Sequence, residues 1–318
     1  MREALVKNLQ QAFDDNAVKA IVITSSLPLF CGGADIEEFS GELLWASPNL
    51  PDVIDAVENA PKLVIAAING IAMGGALELA LGCDYRIVRQ SAKMGLPEIK
   101  LGLFPGAGGT QRLPRIAGLQ TATDMILSGN PVTAAKALSC GLADRVVADT
   151  DDFIAEALSY AEALVASDQP RRHCADMSVN MAAVGDDFFD QTRAVIARKT
   201  IGQIAPGYCL ESIELSISTP LAEALEIDTK SFVELLETPQ ARAMIHVFFA
   251  EREANKIPDV ARETASRDIN SVGVVGAGTM GSGITIACLD AGLAVTLLET
   301  NEEALNRGLA YIAKHYHR

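Results

Sequence analysis

Short apolar runs alternate with amphipathic stretches along the first half of the chain. Leu5, Leu9 and Phe13 recur at helical spacing, so residues 1–14 are predicted to form an amphipathic helix. The runs AIVIT, KLVIAAING, YRIV and LADRVV predict short strands, of which the first two are expected to be buried, and the segments between them predict helices. Strands that alternate with helices in this order are typical of an α/β fold with mostly parallel strands.

The second half of the chain has a different pattern. From about residue 170 to residue 265 it is helical and polar, with no strand-like run. At residue 271 the pattern changes again, because SVGVVGAGTMGSGITIACLDAGLAVTLLET is typical of a strand, a glycine turn, a helix and a second strand. We therefore expect three parts: an α/β domain over residues 1–170, a helical extension over residues 171–268, and a second α/β unit over residues 269–318.

Composition and charge narrow the range of functions. The 318 residues are 49% hydrophobic, which is ample for a packed core, and a net charge of -15 disfavours nucleic acid as a partner. Six scattered cysteines without a C-x-x-C pair and only four histidines predict reduced thiols and no metal site. The most apolar stretch, Leu63 to Cys83, contains Asn69, Glu78 and several glycines, so we expect no membrane span. The residues after Met1 do not predict a signal peptide.

Two glycine-rich loops could present backbone N–H groups to a ligand. Gly74 and Gly75 lie where the predicted strand over residues 63–69 gives way to a helix, and a helix N-terminus has unpaired N–H groups and a positive dipole end. The loop CGGADI offers a second N–H at Ala34. Taken alone, tight strand–helix packing or a surface turn explains each loop equally well. Together, two such donors can hold an oxygen that becomes negative in a transition state.

Two glutamates occur in sequence that is otherwise apolar. Glu78 follows the paired glycines within GGALELA, and Glu98 follows a proline in GLPEI. Two carboxyl groups at one pocket can hold a water molecule and move protons in both directions, although only the fold could bring these two together. The alternatives are a structural salt bridge for Glu78 and an exposed loop position for Glu98. If both line a pocket, burial and the neighbouring like charge should raise the pKa of one of them.

A third motif lies near the end of the chain. Gly276, Gly278 and Gly281 form G-x-G-x-x-G between a predicted strand and a predicted helix, and Glu299 ends the next strand. This arrangement matches the dinucleotide-binding fingerprint, in which the acid binds the ribose hydroxyls. An acid at that position favours NAD over NADP, because it would repel a 2′-phosphate.

Four segments in this order resemble a known family. FCGGADIEEF, AAINGIAMGGALELALGCDYRI, GLPEIKLGLFPGAGGTQRLPR and GVVGAGTMG…LLET resemble the multifunctional fatty-acid β-oxidation enzymes, which join an enoyl-CoA hydratase (crotonase) domain to an NAD-dependent 3-hydroxyacyl-CoA dehydrogenase domain. The resemblance implies a crotonase-like spiral ββα fold in the first domain, followed by a helical linker and the start of a Rossmann fold. It also implies hydration of trans-2-enoyl-CoA, with a Δ3-Δ2-enoyl-CoA isomerase side activity.

The resemblance assigns roles to individual residues. Glu78 and Glu98 match the two catalytic glutamates, and the backbone N–H groups of Ala34 and Gly75 match the oxyanion hole. The residues that match the substrate-binding positions for the CoA thioester are Ala34, Asp35, Ile36 and Gly75. Those that match the NAD-binding positions are Gly276, Gly278, Gly281 and Glu299.

The chain also departs from the family pattern. Relative to the family it is expected to lack the first strands of the hydratase domain and most of the dehydrogenase domain, so no dehydrogenase activity is expected from this chain alone. The alternative function is therefore a catalytically silent fragment with an incomplete CoA site. Apart from an acyl-CoA, the partners implied by the resemblance are a thiolase or a second copy of the chain. The compartment implied is the cytoplasm of a bacterium, or the peroxisome of a eukaryote.

Overall fold

The computed structural model describes residues 1–149, 152–261 and 263–317, which divide into the units Met1–Ala254 and Asn255–Arg318. The strands of the first unit are β1 (Ala20–Ile23), β2 (Leu63–Ile68), β3 (Ile71–Met73), β4 (Tyr85–Arg89), β5 (Lys93–Gly95), β6 (Val132–Thr133) and β7 (Arg145–Val147). Its helices are α1 (Arg2–Asp14), α2 (Leu50–Glu58), α3 (Gly75–Gly82), α4 (Gly109–Ala117), α5 (Leu119–Ser128), α6 (Ala134–Ser139), α7 (Phe153–Ala166), α8 (Phe188–Lys199), α9 (Ala205–Ser218), α10 (Leu221–Leu236) and α11 (Pro239–Ala254).

The main sheet has the order β1-β2-β4-β7, and every pair in it is parallel. Strand β2 is buried along its whole length, which agrees with its unbroken apolar sequence LVIAAI. The prediction of a buried first strand over residues 20–24 was wrong in two details. Strand β1 ends at Ile23, and its residues are half-buried because it lies at the edge of the described sheet.

A second, small sheet has the order β3-β5-β6, with β3 and β5 parallel and β5 and β6 antiparallel. It corrects the predicted position of the paired glycines. Gly74 does not follow the long buried strand directly, because the chain turns after β2 and forms the three-residue strand β3 first. The run KLVIAAINGIAM gave no sign of this break, since both strands are apolar and the turn between them is only two residues long.

Alternate residues of β2 lie in two different clusters of buried side chains. Val64, Ala66 and Ile68 belong to the larger core, whereas Ile65 and Ala67 belong to a smaller cluster on the other face, which α7 covers. The larger core includes buried side chains from the helices after residue 170, namely Phe188, Phe189, Ala205, Cys209, Leu210, Ile213, Phe232, Leu235 and Ala241. The helical extension therefore packs on the same core as the first strands and helices. The boundary at residues 170 and 171 stays a prediction.

The second unit consists of β8 (Ser271–Val275), α12 (Thr279–Asp290), β9 (Ala294–Leu298) and α13 (Glu302–Tyr316). Strands β8 and β9 are parallel, with Ser271 opposite Ala294 and Val275 opposite Leu298. A parallel pair joined by a crossover helix is the βαβ unit of a dinucleotide-binding fold, as the sequence predicted. Among the described residues there is no helix long and apolar enough to cross a membrane.

Candidate active site

One cavity of the first unit brings together the four residues predicted to carry the chemistry. Ala34, Gly75, Glu78 and Glu98 all line a cavity of about 80 Å³. Glu78 comes from α3, Glu98 from the 3-10 helix Glu98–Leu101, and Ala34 from the loop after β1. The other lining residues are Arg2, Glu38, Phe39, Leu44, Trp45, Asn49, Leu50, Pro51, Gly106, Ala107, Thr229 and Phe232.

The two predicted N–H donors lie side by side. Gly75 is the first residue of α3, where backbone N–H groups have no acceptor within the helix. Gly74 precedes it with a φ of 55°, a conformation that favours glycine. A Cβ atom placed on Gly75 would lie 3.5 Å from the backbone N of Ala34, so the two loops are in contact.

Hydrogen bonds to β3 hold the Ala34 loop in this position. The Cys31 N–H donates to the carbonyl of Ile71 at 3.0 Å, and the Met73 N–H donates to the carbonyl of Cys31 at 3.3 Å. Strand β3 ends at Met73, directly before the two glycines. Strand β3, which was not predicted from the sequence, thus holds the Ala34 loop next to Gly74 and Gly75.

Glu78 is buried and is held by backbone N–H groups. Its side chain is 2% exposed, and its Oε1 atom accepts hydrogen bonds from the N–H of Ala107 at 2.8 Å and of Gly109 at 2.9 Å. Burial raises the pKa of Glu78 to about 7, and the two N–H groups oppose that rise. The alternative of a structural salt bridge is wrong for the described residues, since the partners of this carboxylate are main-chain donors.

Glu98 is also buried, and it has fewer partners. Its Oε2 atom is shielded from solvent and has no hydrogen-bond partner among the described residues. Burial raises the pKa of Glu98 well above its ordinary value, and the negative charge of Glu78 adds to the rise. The alternative of an exposed loop acid is therefore wrong. A buried acceptor without a partner costs free energy, so the surroundings of Glu98 disfavour its ionised form.

The two carboxyl groups differ in how well they tolerate a negative charge. The sequence predicted a raised pKa for one acid, and in the structure burial raises the pKa of both. Glu78 has two N–H donors that stabilise its ionised form, whereas the unpartnered oxygen of Glu98 favours the protonated form. The pair therefore can supply one base and one acid at the same pH.

The turn that orients Glu78 was not predicted from the sequence. Ala107 and Gly109 belong to the run GAGG, which ends at the first residue of α4, and Arg112 holds the same turn because its Nη1 donates to the Ala107 carbonyl at 3.0 Å. The Arg112 guanidinium is itself paired with the buried Glu58, with Nη2 and Oε2 at 2.8 Å. A glycine run before a helix was the available signal for N–H donors.

The predicted contacts of the Ala34 loop with CoA stay predictions, and the structure gives the positions of the three residues concerned. Ala34 is exposed and lines the cavity, so it lies at the opening. The Asp35 side chain accepts a hydrogen bond from the Glu37 N–H at 3.0 Å and caps the 3-10 helix Ile36–Ser40. Ile36 packs against the hydrophobic core. A role for Asp35 and Ile36 in binding CoA stays a prediction.

The second unit places its predicted NAD-binding residues together at the end of β8. Gly276 has a φ of 99°, Gly278 caps α12, and a Cβ atom on Gly281 would overlap the carbonyl oxygen of Gly276. Glu299 follows β9, and its Oε2 accepts a hydrogen bond from the Ala277 N–H at 2.7 Å, which lowers the pKa of Glu299. The loop thus has the open backbone and the adjacent acid that a dinucleotide requires.

Two family models match the chain. One, described as Enoyl-CoA hydratase/isomerase, matches residues 1–197, and the other, described as 3-hydroxyacyl-CoA dehydrogenase, NAD binding domain, matches residues 271–318. The human peroxisomal bifunctional enzyme is 39% identical over 306 residues, which cover 94% of this chain and 42% of the relative. The guinea pig enzyme of the same name is 38% identical over 304 residues, with the same coverage. The chain thus spans less than half of the length of these relatives.

The fold of this chain is similar to that of a solved structure. The enoyl-CoA hydratase/isomerase from Pseudoalteromonas atlantica T6c superposes with a TM-score of 0.55 and 23% identity, covering 82% of this chain and 88% of that one. This likeness concerns the fold alone, and it confirms the expected crotonase-like arrangement of the first unit.

Proposed function

Because the chain belongs to the enoyl-CoA hydratase/isomerase family, we propose that it adds water to a trans-2-enoyl-CoA and forms the 3-hydroxyacyl-CoA, a step of fatty-acid β-oxidation. The observation that carries this proposal is the pair of buried carboxyl groups with unlike surroundings, facing one cavity beside two backbone N–H donors. Adding water across a double bond requires a base for the water, an acid for the carbon, and a site for the charge that develops between them.

The N–H groups of Ala34 and Gly75 would bind the thioester carbonyl oxygen. As water adds at Cβ, electrons move through Cα to this oxygen, and an enolate forms. Donors that are already in position stabilise the enolate without reorganising, and one such donor typically contributes about 3 kcal/mol to lowering the barrier. The contact between the two loops provides this fixed geometry.

The two glutamates would exchange protons with water and substrate in opposite directions. The Glu78 carboxylate, held by the Ala107 and Gly109 N–H groups, takes a proton from the water whose oxygen bonds to Cβ. The protonated Glu98 gives its proton to Cα as the enolate collapses. The sum is the addition of one water molecule, and exchange with solvent returns both acids to their starting forms.

Isomerisation is a possible second reaction of the same site. Moving a double bond from position 3 to position 2 shifts a proton between carbons, and one acid can suffice for that. The second acid and its unpartnered oxygen favour hydration as the main reaction, with isomerisation as a side activity. The other alternative, a silent fragment, predicts no turnover of either substrate.

The test is hydration of crotonyl-CoA, followed as the loss of enoyl-thioester absorbance. We expect activity for the parent chain and a loss of about 10²-fold or more in kcat for Glu78→Gln and for Glu98→Gln, because each removes a positioned acid–base group. Glu156→Gln is the matched control, since this half-exposed glutamate pairs with Arg145 away from the cavity. An inactive parent chain would favour the silent alternative, and activity retained in either active-site variant would refute its assigned role.

For the second unit we propose NAD binding. The backbone around Gly276, Gly278 and Gly281 would hold the pyrophosphate, and Glu299 would bind the ribose hydroxyls in place of the Ala277 N–H. When bound, NAD supplies the hydride acceptor for oxidising a 3-hydroxyacyl group.

The proposal also covers the substrate, the protein partners and the cellular compartment of this chain. An acyl-CoA is the substrate, and association with a thiolase or with a second copy of the chain stays a prediction. The animal relatives are named as peroxisomal, which supports a peroxisomal location if the chain comes from a eukaryote. In a bacterium the same enzyme would act in the cytoplasm.

A further inference from the structure

A buried aspartate lies beside the turn that orients Glu78. Asp228 of α10 is 1% exposed, and it accepts hydrogen bonds from two residues at the start of α4. Thr110 Oγ1 donates to Asp228 Oδ2 at 2.9 Å, and Gln111 Nε2 donates to the same oxygen at 2.9 Å. Ser212 Oγ of α9 donates to Asp228 Oδ1 at 2.6 Å. Burial raises the pKa of Asp228, and these three neutral donors oppose that rise because they stabilise the ionised form of the carboxyl group.

The residues that donate hydrogen bonds to Asp228 come directly after those that donate to Glu78. Gly109, whose N–H donates to Glu78, is the first residue of α4, and Thr110 and Gln111 come directly after it. A shift of this first turn would move the Ala107 and Gly109 N–H groups away from Glu78 Oε1. Asp228, which belongs to α10, therefore holds the first turn of α4 in place.

A buried carboxylate that is bonded only to neutral groups is costly, because its charge has lost solvent without gaining a cation. The family model matches residues 1–197, so Asp228 lies in the helices that follow. We propose that Asp228 is a positioning residue for the hydration reaction, which fixes the first turn of α4 against Glu78 and, when ionised, adds a negative charge near it. This inference rests on the proposed function.

The charged groups around Glu78 come from three elements. Glu98 lines the same cavity, Arg112 of α4 donates a hydrogen bond to the Ala107 carbonyl of the turn, and Asp228 of α10 accepts hydrogen bonds from the start of α4. The Arg112 charge is shared with Glu58, its buried partner. Arg112 lowers the pKa of Glu78 and Asp228 raises it, while burial has the largest effect. Removing the Asp228 charge should therefore make Glu78 ionise at lower pH.

The first experiment compares Asp228→Asn with the parent chain. We expect kcat to fall by about 10-fold to 10²-fold with little change in KM, since the acid–base group is misplaced while the acyl-CoA site remains. The acidic limb of the pH–kcat profile should also move to lower pH. Asp84→Asn is the matched control, because Asp84 is equally buried and bonds to Val64, Arg171 and Arg172. It should lower the unfolding temperature and leave the pH profile in place.

A second pair of variants tests the anchor if Asp228→Asn does not fold. Thr110→Val removes the hydroxyl that donates to Asp228 and keeps the size of the side chain, and Thr110→Ser restores the hydroxyl. We expect Thr110→Val to lower kcat with little change in KM, and Thr110→Ser to recover most of it. Equal kcat values for parent and Thr110→Val would overturn the positioning role, as would an unmoved acidic limb in Asp228→Asn.

A direct titration separates this inference from the proposed function. The chain is labelled at the glutamate carboxyl carbons with ¹³C, Glu78→Gln identifies the Glu78 signal, and that signal is followed against pH in the parent and in Asp228→Asn. A midpoint that falls in Asp228→Asn supports the inference even if the parent hydrates no enoyl-CoA, in which case only the proposed function fails. An active parent whose Glu78 midpoint is the same in both chains overturns the inference alone.

Discussion

The two roles that we propose for Glu78 and Glu98 depend on the different surroundings of the two side chains. Both are buried at one cavity, and burial raises the pKa of each. They differ in that two N–H groups stabilise the ionised form of Glu78, whereas Glu98 has an oxygen without a partner among the described residues. The proposed division into base and acid thus depends on the N–H groups of the GAGG turn, which are near Glu78 alone.

The raised pKa of Glu78 predicts a pH-dependent cost in stability. The ordinary pKa of Glu78 is 4.5, and its pKa in the fold is about 7. Protonation of Glu78 therefore stabilises the folded state fully below pH 4.5, and this stabilisation is lost as the pH rises through about 7. In Glu78→Gln the side-chain amide does not titrate, and its oxygen can still accept hydrogen bonds from the two N–H groups. Its unfolding temperature relative to the parent should therefore be higher at about pH 8 than at about pH 5. A constant difference across that range would contradict the raised pKa.

Gly109 should not tolerate a methyl group. A Cβ atom there would lie 2.8 Å from Pro105 Cβ and 3.1 Å from Glu78 Oε1, so the carboxylate or the turn must move. We expect Gly109→Ala to lose on the order of 10²-fold in kcat and about 1–3 kcal/mol in the free energy of unfolding. Gly207→Ala in α9 is the control, because no atom lies within 4 Å of its Cβ position. It should keep full activity, and equal effects of the two substitutions would count against the crowding argument.

At the scale of elements, α10 forms one wall of the cavity. Thr229 and Phe232 line it, and the Phe232 ring packs edge-to-face on Phe39 at 6.1 Å and on Phe104 at 5.8 Å between centroids. Positions 228, 229 and 232 fall on one side of the helix, so a single side of α10 contacts both the cavity and the α4 turn. The helical extension is therefore part of the site.

Phe232 should limit the length of the acyl chain. Phe232→Ala removes a ring from the cavity wall, and we expect kcat/KM for a long enoyl-CoA to rise relative to that for crotonyl-CoA. The substitution should also cost about 3–5 kcal/mol of stability. Phe189→Ala in α8 is the control, since Phe189 is buried to a similar extent but packs on Phe188. It should destabilise the chain and leave the chain-length profile unchanged, whereas a shared change in profile would indicate a general loosening of the core.

At the scale of the whole molecule, the described cavity residues all belong to the unit Met1–Ala254, and two of them, Thr229 and Phe232, lie beyond residue 197. We therefore expect a chain of residues 1–254 to fold and to hydrate crotonyl-CoA with the kcat/KM of the parent. A chain of residues 1–197 should lose the wall formed by α10 and with it the activity. Activity retained by residues 1–197 would show that α10 is not needed for the reaction.

The sequence predicted the parts of this molecule that local pattern determines. The strand–helix alternation, the acids Glu78 and Glu98 and the two glycine loops follow from apolar periodicity and from the resemblance of the motifs. It could not predict partners that are remote in the chain. Thr110 and Asp228 are 118 residues apart, and neither has a neighbouring residue that signals their contact. The three-residue strand β3 was also missed, because it continues an apolar run.

The position of α10 also restricts how this chain can be recombined with its relatives. A gene fusion joined near residue 197, where the family match ends, would combine the cavity residues of α3 and its neighbouring loops from one parent with the α10 cavity wall from another. Such chimeras would have mismatched pockets even if both parents were active. A junction within residues 255–270 would instead transfer the cavity intact, so libraries of exchanged modules should yield active hydratases mainly at that second boundary.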